Sequence, residues 1–342
     1  MAFDRGTHLA RLPRARGRLP GMRAAAVAMS VLSGIIPVGA RAETKIVVGI
    51  VSHGTSQWPQ YVAEDLGWLK NEGLTLDMVS VGSGTAQQLA VGAIDLAHSG
   101  FPEFIRAANQ GAHIKIVISD ISAPPYTVFA KPAIKTIAGL RGKTISIGGI
   151  KDVTLIYMKP LLASAGLTAA DVDFVFAKSA GDRFSALMAG AVDAAILNPP
   201  TSFRAAERGF AALGEIKSYL PEFPFTMWGA NTDWAARNKS ALVTFSRQYL
   251  AAVRWLYDPA NKGQAVRILL KYAKQSDKDA SDSYDYYFGA LHGFSLDGLL
   301  GEDAYRKMTD GMIELGDLVP PAPPLSKFFD DSYIKEASRD GR

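Results

Sequence analysis

Polar side chains recur at one kind of place in this sequence, directly after short β-rich runs. Ser56, Gln57 and Trp58 follow the run Ile46 to Val51, Ser83 and Thr85 follow Leu74 to Val81, and His98 and Ser99 end the run that begins at Ile94. Further on, Gly149, Asp152 and Thr154 follow Thr144 to Ile147, Lys178 follows Val172 to Ala177, and Asn198 follows Ala194 to Leu197. Hydroxyls, amides and small-residue turns of this kind grip a polar or anionic group through hydrogen bonds. They converge on one site if the strands are parallel, because ligands then bind beyond the carboxyl ends, where helix N-termini aim their free N–H groups. Tyr126 and Trp228 flank two proline-containing stretches and are candidate walls of the same cleft.

Each of these residues has a plainer reading. Ser or Thr ahead of a helix commonly caps it, a contribution of ~1 kcal/mol with no ligand involved. Trp58 and Trp228 belong to a core more often than to a stacking platform. Asp95 and Asp193 each precede a strand after a Gly turn, away from the cleft end, where an aspartate closes the turn.

Metal and nucleophilic chemistry find little support. Past residue 42 the histidines are His53, His98, His113 and His292; none pairs at helical spacing, and the chain has 0 Cys. His53 and His98 stand at neighbouring strand ends and are the one pair positioned to meet, in a hydrogen-bonding role rather than around a metal. No Gly-x-Ser-x-Gly elbow occurs, nor a phosphate loop with its upstream glycine. Gly82-Ser83-Gly84-Thr85 opens a helix like the start of a dinucleotide fingerprint, but Gln87 stands where the third glycine belongs. No catalytic residue, metal or cofactor is assigned.

The elements that must position these residues are written twice. Leu89 to Ala97 reads LAVGAIDLA and Leu187 to Ala195 reads LMAGAVDAA, the two aspartates lying 98 positions apart. Lys45 to Gly49 has a counterpart in Lys143 to Gly148, and Gly73-Leu74-Thr75 in Gly166-Leu167-Thr168. A repeat this long is a folding unit. Within each copy, β-rich runs alternate with helical patterns over short links, which predicts an α/β fold with mostly parallel sheets flanked by helices. Two such lobes make a cleft, where small ligands bind. Pro124-Pro125 and Pro221 to Pro224 mark the crossings between lobes. Past Asn231 the patterns are helical, with no third copy, and the tail is expected to return to the first lobe. The division is a leader at 1–42, a discontinuous first lobe at 43–125 plus 230–342, and a second lobe at 126–229.

Residues 1–42 read as a signal peptide: six arginines from Arg5 to Arg23, an apolar stretch from Ala24 to Ala40 broken by Pro37, and Ala40-Arg41-Ala42 for cleavage after Ala42. Met22 is an alternative start. A membrane span needs about 20 apolar residues, more than this stretch offers. The leader carries seven Arg and one Asp, a net of +6 against +4 for the whole chain, which leaves −2 for the remainder. The basic character is therefore a targeting signal and not a nucleic-acid footprint. Without cysteine there is no lipid anchor, and a soluble exported protein is retained only inside an outer membrane; the expected location is the periplasm.

Ala63-Glu64-Asp65-Leu66-Gly67-Trp68-Leu69, then Glu72-Gly73-Leu74, a strand, Gly82-Ser83-Gly84, and Gly92 to Asp95 resemble the solute-binding proteins of ABC importers. The branch is that for nitrate, sulfonate, taurine and thiamine-pyrimidine precursors, and the likeness spans residues 45 to 235. The resemblance implies a two-lobed Venus-flytrap fold that closes by a hinge on one small ligand and delivers it to an inner-membrane permease, as a monomer. It implies ligand contacts at Ser56-Gln57-Trp58, Ser83 to Thr85, Ser99, Asp152 and Asn198. It leaves the ligand open between a sulfonate-, taurine- or nitrate-like anion and an aromatic acid or pyrimidine stacked on Trp58, Tyr126 or Trp228. No Arg lies in the cleft loops so identified, and positive charge there would come from Lys151 and Lys178. A ligand-binding subunit of a sensor system is a further alternative. The pyrimidine synthase that shares the fold depends on a cysteine cluster that this chain lacks, so no enzyme activity is expected.

Overall fold

Residues 43–339 are described by the computed structural model, Ser83 by its backbone alone; the expected leader and its cleavage point lie outside the described residues. The chain runs β1 (Thr44–Ile50), α1 (Trp58–Asp65), α2 (Trp68–Asn71), β2 (Leu74–Ser80), α3 (Thr85–Ala90), β3 (Leu96–Gly100), α4 (Phe101–Asn109) and β4 (Ile114–Ile121). It continues through β5 (Thr127–Ala130), β6 (Thr144–Ile147), α5 (Val153–Ala163), β7 (Asp173–Phe176), α6 (Ala180–Met188), β8 (Ala194–Leu197), α7 (Thr201–Glu207) and β9 (Ala211–Glu215). Then come β10 (Thr226–Asn231), α8 (Thr232–Arg237), α9 (Lys239–Tyr257), α10 (Lys262–Tyr272), α11 (Asp277–Tyr284), α12 (Glu302–Glu314) and α13 (Ser332–Arg339).

Two five-stranded sheets result, ordered β2-β1-β3-β10-β4 and β7-β6-β8-β5-β9. Position by position they are the same sheet, as the sequence duplication requires. Each is parallel except for one strand: β10 runs antiparallel to β3 and β4, and β5 antiparallel to β8 and β9. These exceptions are the crossings. β4 leads through residues 122–126 into β5 of the other sheet, and β9 leads through residues 216–225 back into β10. Each crossing strand fills the fourth place of the sheet it enters. All six residues of β10 are buried, as suits an interior strand covered on both faces. Gly229 is required there, because the Phe104 ring lies 2.5 Å from where a Cβ would stand.

The duplicated aspartates do one job twice. Asp95 Oδ2 accepts from Val47 N at 2.8 Å, and Asp193 Oδ2 accepts from Thr144 N at 3.1 Å. Each carboxylate closes the turn that feeds β3 or β8 into its sheet.

One apolar core lies on the outer face of the first sheet, where α1, α9, α10 and α13 cover Ile46, Val48 and Ile50. A second joins the inner face of that sheet to the second sheet, through Phe101, Phe104, Ile145, Ile147, Tyr157 and Met308. The helical tail contributes to both. α12 lies against α5, with Ile156 2.9 Å from where a Cβ on Gly311 would stand. Just beyond α12, Asp317 reaches α4 of the first lobe.

Candidate functional site

The turn Thr55–Gln57, Ser99, the segment 148–152 and Asn198 lie at or just beyond the carboxyl ends of β1, β3, β6 and β8. Tyr287, from a π-helical turn after α11, stands between them: burial raises its phenol, offset in part by hydrogen bonding from Thr55 of one lobe and Asn198 of the other. Tyr126, just ahead of β5, is buried beside Tyr157 and Phe225 at ring-centre distances of 5.6 and 5.4 Å.

The residue that sequence reasoning missed is Arg183. Its side chain is 2% exposed. Nε donates to Ile196 O at 2.8 Å, and Nη1 donates to Ala177 O and Lys178 O, each at 3.0 Å. Those carbonyls belong to the ends of β8 and β7, so the guanidinium lies at the carboxyl end of the second sheet. Among the described residues it forms no ion pair within 4.0 Å. Burial pushes the Tyr126 hydroxyl up to about 12, offset in part by this guanidinium beside it. A buried cation answered by dipoles rather than by a carboxylate retains its attraction for an anion. The expectation that only Lys151 and Lys178 carry positive charge here is thus corrected; Lys178 is exposed, and Lys151 is engaged at the lobe rim.

Several residues expected to touch ligand are committed elsewhere. Trp58 is 0% exposed; its Nε1 donates to Ala265 O at 2.9 Å and its ring meets Tyr284 and Phe288 edge-on. Trp228 is equally buried, packed on His98, Phe245 and Tyr249. Both tryptophans are core, so neither offers a face for stacking. Thr85 is buried with its hydroxyl donating to Gly82 O at 2.8 Å, a local turn contact. Thr154 is buried as well; its Oγ1 accepts from Gly148 N at 2.8 Å and donates to Asp152 Oδ1 at 2.6 Å. Asp152 in turn caps α5 by accepting from Thr154 N at 2.9 Å. This closed set holds the Gly148-Gly149 turn, and a side chain on Gly148 would collide with the Asp152 carboxylate.

His53 and His98 do not meet. His53 Nδ1 pairs with the Tyr61 hydroxyl at 2.9 Å, whereas His98 faces inward with both ring nitrogens engaged. His98 Nε2 bonds Asp120 Oδ2 at 2.5 Å and Nδ1 bonds Gln57 Nε2 at 2.9 Å. Asp120 also accepts from Thr226 Oγ1 at 2.8 Å and from the Tyr249 hydroxyl. His98 therefore acts on Gln57 and not on ligand. Of the remaining candidates, Ser56, Gly149 and Asn198 are partly exposed, and the Ser83 side chain lies outside the description.

Ion pairs cross between elements at the rim. Asp317, with its side chain 4% exposed, accepts from Arg106 at 2.7 Å and from Lys151 at 3.1 Å. Those two contacts tie α4 of one lobe to the segment before α5 of the other. On another side Arg204 of α7 meets Asp279 of α11 at 2.6 Å. A groove of about 540 Å³ runs along α3 and α4, lined by Gln87, Glu103, Arg106 and Gln110 among others. It lies outside the strand-end cluster and touches it only at Glu103, whose Oε2 accepts from Ser99 Oγ at 2.7 Å.

Glu103 offers a pH test. Burial raises its carboxyl above the ordinary 4.5, with the Ser99 hydrogen bond and the Arg106 charge opposing. The unfolded chain therefore releases this proton first as pH rises, and stability falls between the ordinary value and the raised folded one. Glu103→Gln removes that loss. The variant is expected to melt above the parent at neutral pH and level with it in acid well below the ordinary glutamate range, where both side chains are uncharged. Parallel melting curves across the whole range would show that Glu103 is not buried as described.

The sequence profile of the family described as NMT1/THI5 like matches residues 55–261. YtlA of Bacillus subtilis (strain 168), named only provisionally as a binding protein, is 24% identical over 293 residues, covering 82% of this chain and 86% of YtlA. Among solved structures, the periplasmic aliphatic sulphonate binding protein SsuA from Escherichia coli superposes with a TM-score of 0.67 at 20% identity, covering 84% of this chain and 92% of SsuA. The periplasmic nitrate-binding protein NrtA from Synechocystis PCC 6803 gives 0.67 at 15% identity, over 87% and 89% of the two chains. The desulfurization enzyme DSZB gives 0.66 at 13% identity, over 87% of this chain and 100% of that one. These likenesses establish the fold, a pair of mixed sheets flanked by helices.

Proposed function

We propose, because this chain belongs to the NMT1/THI5-like family, that it binds a small organic or oxyanionic solute between its two lobes and hands it to an ABC permease. The observation that carries the reading is Arg183, a buried guanidinium beside Tyr126 with carbonyl partners and, among the described residues, no ion pair. A sulfonate-, taurine- or nitrate-like anion suits that setting, and so does the carboxylate of an aromatic acid resting against Tyr126. A neutral pyrimidine fits less well, since two of its three proposed stacking partners, Trp58 and Trp228, are enclosed in the core. Ser56, Gln57, Ser99, Tyr126, Gly149, Lys178 and Asn198 complete our proposed contact set, with Ser83 from the turn before α3. Lobe closure about the two crossings, export through residues 1–42 and residence in the periplasm belong to the same proposal, as does binding rather than catalysis.

A melting screen against sulfonates, taurine, nitrate, aromatic acids and pyrimidines tests it. A ligand at a hundred times its dissociation constant adds ~2.7 kcal/mol of stability. Anions are expected to raise the melting temperature and neutral pyrimidines to leave it unchanged. A panel in which no anion shifts melting, while the purified protein turns over a substrate, would replace binding with catalysis.

A further inference from the structure

We propose that Asp120 and His98 are positioning residues for Gln57: they fix its amide with the nitrogen inward and present its oxygen to the solute, which must therefore carry a hydrogen-bond donor. The proposal rests on the solute-binding reading above and adds a requirement to it.

The chain of reasoning is one of donors and acceptors. Asp120 is 1% exposed and takes hydroxyl donors from Thr226 and Tyr249. Burial and the Asp120 charge hold the Tyr249 phenol well above its usual range, so that hydroxyl remains a donor. Both Asp120 oxygens already accept from hydroxyls, so Asp120 is the acceptor of the 2.5 Å contact and His98 Nε2 the donor. A neutral imidazole with its proton on Nε2 has a lone pair on Nδ1. Only the NH2 end of Gln57 can satisfy that lone pair at 2.9 Å, so Oε1 is the end left over. Gln57 is 2% exposed, and its Oε1 is buried without a hydrogen-bond partner. That oxygen lies beside the Gly54 turn, 3.9 Å from where a Cβ on Gly54 would stand. The same short turn carries Thr55, which meets Tyr287 at the lobe junction.

A buried acceptor without a donor is unfavourable until a ligand N–H or O–H reaches it. A site built around such a group rejects an analogue that lacks the donor far more strongly than a hydrophobic pocket rejects a missing methylene. Together with Arg183, the arrangement describes a small organic anion that bears an amino or hydroxyl group.

Asp120→Asn tests the device without changing its shape. If the new amide nitrogen takes the Oδ2 place it donates to His98 Nε2, which moves the ring proton to Nδ1, turns the Gln57 amide over and presents its NH2 group; if it takes the Oδ1 place against Tyr249, ring and amide stay as in the parent. In ¹⁵N spectra of the full-length protein the parent is expected to show the Nε2–H tautomer of His98, and the tautomer of Asp120→Asn reads which way its amide is turned. With 2-hydroxyethanesulfonate and 2-methoxyethanesulfonate as probes, the parent is expected to favour the hydroxyl compound at least about tenfold. Asp120→Asn should reverse the order when its His98 carries the Nδ1–H tautomer and keep it otherwise, and Gln57→Leu should abolish the difference. An Nδ1–H tautomer in the parent, or a preference in Asp120→Asn that does not follow its own His98 tautomer, overturns the proposal. The parent spectrum decides the tautomer even where the variant does not fold. Binding of neither probe overturns the donor requirement, whereas failure of the solute-binding reading itself shows in the wider anion panel.

Discussion

Arg183→Met is expected to weaken binding of an anionic solute by about 10- to 100-fold. Charge-assisted hydrogen bonds contribute roughly 1.5–3 kcal/mol each, and every 1.4 kcal/mol is a factor of ten in affinity. The same substitution also strips donors from the carbonyls of Ala177, Lys178 and Ile196, so some stability falls with the affinity. Arg183→Lys separates the two effects. A lysine keeps the charge and loses the planar fork, so it should melt lower while binding anions better than Arg183→Met does. Titration calorimetry on both variants, alongside melting curves, makes the distinction. Full anion affinity in Arg183→Met would reduce the guanidinium to a strut beneath the strand ends.

Trp58→Ala is expected to cost about 3–5 kcal/mol of folding stability, the usual range for deleting a large aromatic from a packed core. The indole fills the space between α1, α10 and the aromatic pair Tyr284 and Phe288, and its N–H satisfies the Ala265 carbonyl. Trp58→Phe should recover most of that loss while leaving the carbonyl unpaired. Denaturant unfolding reads both. A Trp58→Ala protein that unfolds like the parent but no longer binds solute would return this residue to the ligand site and refute the core placement.

How far the sequence foretold these things depended on the range of each interaction. The paired Gly-Ala-x-Asp segments revealed two equivalent sheets, because a turn glycine, a closing aspartate and the strand beyond are all local in sequence. The crossing strands escaped notice for an opposite reason. β5 has four residues, and β10 is buried along its whole length, so neither displays the alternation by which a half-exposed strand is recognised. Arg183 looked like an ordinary helix residue. Its burial follows from Ser179 capping α6 ahead of it, which places residue 183 one turn in, with its side chain folded over the ends of β7 and β8. The Ser179 cap was the available clue. Asp120 and Tyr249 stand 129 positions apart, and nothing local to either announces the other. Trp58 and Trp228 flank the cleft loops in sequence, yet apolar area draws both inward, the more usual fate of a tryptophan.

The fourth place in each sheet has a bearing on synthesis. β5 through β9 lie in one uninterrupted stretch, residues 127–215, so every strand of the second sheet is present once that stretch has left the ribosome. The first sheet has no such independence. β3 and β4 bond to each other only through β10, and until Thr226–Asn231 is made, their facing edges stay open. The half that is translated first is therefore the half that is finished last, and the nascent chain keeps its leading portion loose until the trailing portion arrives to lock it.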